Sequence, residues 1–210
     1  MLKKIFFIFI LLLSFNLTAQ RALFNQNFDE FSEFDIPENE LKQYKSEGKL
    51  TIFNVEKHST SLAKKLFDLK VGKTYEIKKG TFTKVLKVVA SKEIEHYRIN
   101  YIFLDGNKFT YDKIDKLRDK LKNMAGGRYD FKGLAKQYSM DMNRNRGGDS
   151  GWFKEGRIHE DFRNAALSKM RNANEIFKID LENEKWFYLV KKTYSPRKIR
   201  EIVVLETEVR

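Results

Sequence analysis

Between His96 and Thr193 the apolar residues change their spacing again and again, and the order of those changes limits the fold more than any other feature of the chain. HYRINYIFLDG alternates like a strand and closes on Asp105-Gly106. TYDKIDKLRDKLKNMAGG starts at Thr110, sets Ile114, Leu117, Leu121 and Met124 at helical spacing, and stops at Gly126-Gly127. YDFKGLAKQYS reads as a second helix with Phe131, Leu134, Ala135 and Tyr138 inward, and HEDFRNAALSKM as a third. NEIFKIDL and WFYLVKKTY are strands joined by a polar Glu-Asn-Glu turn. Between the second and third helices come a loop and GGDSGWF, where the order places a further strand. The order β-α-α-β-α-β-β implies an α+β fold, helices packed around a small antiparallel sheet.

The stretch before residue 96 is less regular. NFDEFSEFD places Phe24, Phe28, Phe31 and Phe34 at helix-like spacing, and Pro37 ends it. ENELKQYKSEG resumes as a short helix, LTIFNV as a strand, and STSLAKKLFDL as a capped helix. TYEIKKGTFTKVLKVV alternates around Lys79-Gly80 in the pattern of a β-hairpin. Residues 20–95 are thus expected to form a mixed α/β accessory region, residues 96–194 the main domain, and residues 195–210 a C-terminal strand or tail. The rhythm of GTFTKVLKVVASKEIEHYRINYIF resembles that of WFYLVKKTYSPRKIREIVVLE. The accessory region is then either the shortened remnant of a second, similar unit or an unrelated lobe with a lysine-rich hairpin.

The chain opens MLKKIFFIFILLLSFNLTAQ. Lys3 and Lys4 precede a wholly apolar run that is too short to cross a bilayer, which takes roughly 20 residues. Polar and small residues follow, in the pattern of a secretory leader over residues 1–19 cleaved after Ala19; the other reading is a retained anchoring helix. Export implies a periplasmic or secreted protein with no integral span after cleavage. There is no cysteine, so disulfides and a lipidated cysteine are both excluded. The net charge of +12 would suit nucleic acid, but export makes anionic envelope surfaces or acidic clients the better match, or simple solubilisation by lysine. His58, His96 and His159 lack ligand spacing, so no metal and no cofactor are expected. A hydrolase constellation, a phosphate-cradling loop and a dinucleotide fingerprint are all missing.

The densest motif is YSMDMNRNRGGDSGWFKEGRIHEDF, residues 138–162. Its glycine pair allows a turn that a Cβ would obstruct, and Trp152-Phe153 must pack nearby, against Phe162. With YDFKGLAKQYS before it, FRNAAL after it and WFYLVKKT near the end, this stretch resembles the parvulin-type peptidyl-prolyl cis/trans isomerases over roughly His96 to Thr193. Family members hold a proline ring in an apolar pocket and surround the rotating amide with polar groups. The resemblance places that pocket floor at Phe153, Ile158 and Phe162, with Trp152 and Ser150 beside it and Asp141 as the acid of the loop.

The chain departs from the family at several of these places. The family commonly carries two central histidines, and Tyr101 and Tyr188 stand there instead. A tyrosine donates and accepts hydrogen bonds as a neutral imidazole does, but it is larger. Ile158 replaces a methionine, and Ser150 replaces an aliphatic residue. The loop's Arg144 and Arg146 would contact clients, or keep an exposed loop soluble. Amide rotation needs no metal and no covalent intermediate, only better binding of the twisted amide than of either planar form. The expected function is an exported isomerase acting on proline-containing envelope or secreted clients, with Asp141, Tyr101 and Tyr188 as the catalytic set. The alternative is a catalytically weak or inactive chaperone or peptide-binding module on the same fold.

Overall fold

A computed structural model describes Leu23 and residues 28–209; the leader expected over residues 1–19, and Phe24, lie outside the described residues. Along the chain come α1 (Glu38–Glu47), β1 (Lys49–Asn54), α2 (Ser61–Asp68), β2 (Thr74–Lys79), β3 (Phe82–Tyr97) and β4 (Asn100–Asp105). Next are α3 (Tyr111–Gly126), α4 (Phe131–Tyr138), a 3-10 segment Met142–Arg146, β5 (Phe153–Lys154) and α5 (Glu160–Ala166). β6 (Ile176–Leu181), β7 (Trp186–Lys191) and β8 (Arg197–Val209) complete the chain. These divide into two compact units, one of residues 29–95 with 197–210, the other of residues 1–28 with 96–196.

The first unit is a sheet in the order β1-β8-β3-β2. β2 and β3 form the hairpin read from their alternation, with Lys79 opposite Phe82. β8 runs antiparallel to β1, pairing Lys49 with Glu206 and Asn54 with Glu201. Ala63, Leu66 and Phe67 of α2 cover Leu86, Val88, Ile202 and Val204. Over residues 28–35, the described part of NFDEFSEFD, the expected helix is replaced by a turn and a 3-10 segment, Ser32–Phe34. Asp29 accepts the Phe31 N–H at 3.0 Å, and the Ser32 hydroxyl donates to the Asp29 carbonyl at 2.7 Å. Such local side-chain bonds give the backbone an alternative to the helical ladder.

The second unit is built on a three-stranded antiparallel sheet, β4-β7-β6. Its order β4-α3-α4-β5-α5-β6-β7 is the expected α+β arrangement. Both faces of this sheet are covered, so NYIFLD and WFYLVK are buried almost throughout rather than on alternate residues. Ile102, Leu104, Phe187 and Leu189 meet α3 and α4 through Ile114, Leu121, Phe131, Leu134 and Ala135. Tyr101, Phe103, Tyr188 and Val190 point to the opposite face, toward Phe153, Ile158 and Phe162. Arg118, a polar position on the helical wheel of α3, is fully buried between Asp180 and Asp115. Two carboxylates are what make an interior guanidinium tolerable.

Candidate functional site

The outer edge of β4 would expose unpaired backbone groups, and the segment between α4 and β5 covers it. The Phe103 carbonyl accepts the Met140 N–H at 2.9 Å, and the Phe103 N–H donates to the Ser139 hydroxyl at 3.0 Å. Tyr101 N–H donates to the Gly148 carbonyl at 2.9 Å, and Ser150 N–H to the Ile99 carbonyl at 3.0 Å. Gly147 and Gly148 both have positive φ, 65° and 75°, which answers why two glycines adjoin here. Asp149 then fixes the turn by accepting from Arg98, through Nε at 2.9 Å and through Nη2, and from the Gly151 N–H at 2.9 Å.

This stitching delivers Asp141 to the inner face of the sheet. Its side chain is nearly buried, at 5% exposure. The Tyr101 hydroxyl donates to Oδ2 at 2.9 Å and the Ser139 hydroxyl to Oδ1 at 2.8 Å. Burial raises the Asp141 pKa above the ordinary carboxylate value, against the opposing pull of the Ser139, Tyr101 and backbone hydrogen bonds. Tyr101 and Tyr188 are also pushed up, first by burial and then by the nearby Asp141 charge, so both phenols stay neutral at physiological pH.

The two tyrosines are diagonal neighbours across the β4–β7 pair, since Tyr101 lies opposite Val190 and Tyr188 opposite Phe103. Their rings meet edge to face at 5.8 Å, and Phe162 meets Tyr188 the same way at 4.9 Å. Phe153, Ile158 and Phe162 join them in one buried cluster. The structure therefore gathers Asp141, Tyr101, Tyr188, Phe153, Ile158 and Phe162 in one place.

The remaining residues go elsewhere. Trp152 turns from Phe162 to Tyr194, 6.0 Å away, and to the guanidinium of Arg98, 5.8 Å away. Ser150 spends its hydroxyl on the backbone, accepting from Ile99 and donating to the Gly151 carbonyl. Arg144 and Arg146 are exposed on the 3-10 segment, and Arg146 Nε donates to Asn143 at 3.1 Å. Ser139 escaped the sequence reading. Its spacing of two residues before an inward acid was the available signal.

Residues 83–194 match the family described as the PPIC-type PPIASE domain, more than half of the 210-residue chain. The chain belongs to that family. Among solved structures, PrsA from Bacillus subtilis is 28% identical with a TM-score of 0.35, over 48% of this chain and 35% of that one. The matched region thus spans about a third of PrsA. A PpiC-type peptidyl-prolyl cis-trans isomerase domain is 22% identical with a TM-score of 0.39, over 50% of this chain and 94% of that one. No curated protein matches the sequence. The PPIC-type region begins within β3 and ends just after β7, so it takes in the whole site described above.

The raised Asp141 pKa has a consequence for stability. An acid whose folded value lies above its unfolded value contributes most when both states are protonated, and that contribution is lost as pH rises through the folded value. The stability of the native chain relative to Asp141→Asn is therefore expected to fall from acid pH upward, levelling off once the carboxyl is fully ionised. Thermal melts of both proteins across that range check it, and parallel curves would contradict it.

Proposed function

We propose that this chain is an exported peptidyl-prolyl cis/trans isomerase that assists the folding of envelope or secreted proteins. A prolyl ring is received over Phe153, Ile158 and Phe162, and the amide being rotated lies toward Asp141 and the two tyrosines. The observation that carries this reading is a carboxylate at 5% exposure, tethered by two hydroxyls beside an apolar cluster. Holding an ionisable group there is costly, and such placements concentrate at functional sites.

The chemistry asked of the site is modest. The barrier of about 18–20 kcal/mol arises from conjugation of nitrogen with the carbonyl. A negative charge facing the carbonyl oxygen opposes the charge build-up that conjugation requires. It therefore favours the twisted, less conjugated amide, and a catalyst works by binding that form better than the planar ones. Tyr101 and Ser139 keep the carboxylate aimed, and neutral phenols supply polar contacts without competing charge. Asp141→Ala is expected to lower kcat/KM on a short Xaa-Pro peptide by roughly 10- to 100-fold, the loss of one well-placed electrostatic group. Exchange spectroscopy between the cis and trans signals measures it; an unaltered rate would remove Asp141 from the mechanism.

A second reading is favoured by one observation. Tyr101 and Tyr188 are each 1% exposed and fill the face where the family commonly has histidines. A site so filled would hold peptides as a chaperone or binding module does, without turning them over. In the same experiment, shift changes on peptide addition with no cis–trans exchange would select that reading. The leader over residues 1–19 supports export, and among the described residues no helix is long and apolar enough to cross a membrane. Comparing the chain's size and location before and after secretion from a bacterial host tests the export.

A further inference from the structure

Among the described residues, the apolar cluster behind Asp141 contains one member from far outside the PPIC-type region. Leu23 is 1% exposed and packs among Tyr101, Phe153, Ile158, Phe162 and Tyr188. Its carbonyl accepts the His159 N–H at 2.8 Å. His159 directly follows Ile158 and is the residue that opens α5, whose Phe162 faces the same cluster. Close by, the half-buried Phe28 ring lies against Gly156, so near that a Cβ on that glycine would come within 2.4 Å of it. Gly156 does not need positive φ, so what it supplies is room for the Phe28 ring.

Leu23 brings a branched aliphatic side chain, close in size and polarity to a prolyl ring, to the floor proposed for that ring. We infer that Leu23 is an internal plug, occupying the prolyl niche until a client displaces it. This rests on the reading of the niche as the client site. Its effect is competitive: the affinity for a client is reduced by the fraction of molecules in which the niche is open. A plug of this kind holds the apolar surface out of water between clients and rejects segments that bind it less well than Leu23 does.

The test uses the whole chain and its Leu23→Ala variant, titrated with a short Ala-Pro-Phe-type peptide. Burial of one leucine side chain corresponds to roughly a 10- to 100-fold factor in affinity, so the variant is expected to bind the peptide tighter by about that much. Should Leu23→Ala fail to fold, Leu23→Val is read in its place. It removes one methylene from the plug, worth about 0.8 kcal/mol of burial, and a peptide affinity tighter by roughly fourfold is expected. A peptide affinity that stays the same or weakens in a folded variant overturns the plug. The Ile158 Cδ1 methyl separates this from failure of the functional reading. If a soluble paramagnetic agent broadens that methyl more strongly in the variant than in the native chain, the plug stands even where no prolyl peptide binds, and the isomerase reading alone fails. A methyl equally shielded in both overturns the plug.

Discussion

Gly148→Ala is expected to lower the melting temperature of the PPIC-type unit by roughly 15 °C or more. Two costs add at this position. The backbone sits at φ 75°, where an L-residue loses roughly 1–2 kcal/mol. A Cβ would also lie 2.3 Å from the Tyr101 carbonyl oxygen and 2.9 Å from the Ala135 methyl. Neither neighbour can withdraw. Tyr101 is held in β4 by its pairing with β7, and its own N–H already donates to the Gly148 carbonyl. A combined loss of about 4 kcal/mol corresponds to roughly 4–8 °C per kcal/mol in a unit of this size. Gly133 supplies the contrast. It is exposed in α4 with open space around it, so Gly133→Ala is expected to leave the fold intact and add about 0.5–1 kcal/mol. Circular dichroism melts of the two variants beside the native chain check both signs. A Gly148→Ala protein melting within a few degrees of the native one would mean that the loop is not pinned to β4.

That loop also shows where a sequence stops being legible. Periodicity found α3 and α4 with their inward residues, because each helix meets the sheet along one stripe and the stripe is local. Order alone yielded the β-α-α-β-α-β-β arrangement, since each connection is short. Burial of β4 and β7 on both faces was harder to see: polar Asn100, Asp105 and Lys191 at their ends mimic alternation that their centres lack. Arg118 reads as solvent-facing from its type, and only the arrival of Asp180 from β6, distant in the chain, makes its burial possible. The pairing of Arg197–Val209 with Lys49–Asn54 likewise depends on contacts that no local pattern encodes.

The candidate site divides along the same line. Residues readable from their apolar type alone came together: Phe153, Ile158 and Phe162 meet in one buried cluster. Those whose role depends on side-chain direction were not readable in this way. Trp152 adjoins Phe153 but lies on a bend before β5, with its ring against Arg98 and Tyr194. Ser150, which replaces the family's aliphatic residue, closes backbone hydrogen bonds. Tyr101 combines both kinds of information, since its ring packs with Tyr188 while its hydroxyl reaches Asp141.

Phe162→Ala should damage stability and client binding together, and a control on the other face of the sheet tells the two apart. Phe162 is fully buried and its ring meets Tyr188 edge to face, so its truncation is expected to cost about 3–5 kcal/mol, as for other core phenylalanines. Part of that cost is the aromatic contact itself, worth about 0.5–1.5 kcal/mol beyond burial. Phe131 is almost as deeply buried but packs against Ile102, Leu104 and Leu189 on the α3–α4 side. Phe131→Ala should therefore destabilise by a similar amount while leaving the niche floor in place. At a temperature low enough for both variants to remain folded, prolyl-peptide affinity is expected to drop at least tenfold in Phe162→Ala, the loss of roughly 1.4 kcal/mol of apolar contact, and to hold in Phe131→Ala. Titration with the same peptide reads both. Equal losses in the two variants would show that Phe162 acts only through the fold, and the niche would then have to be sought on another surface.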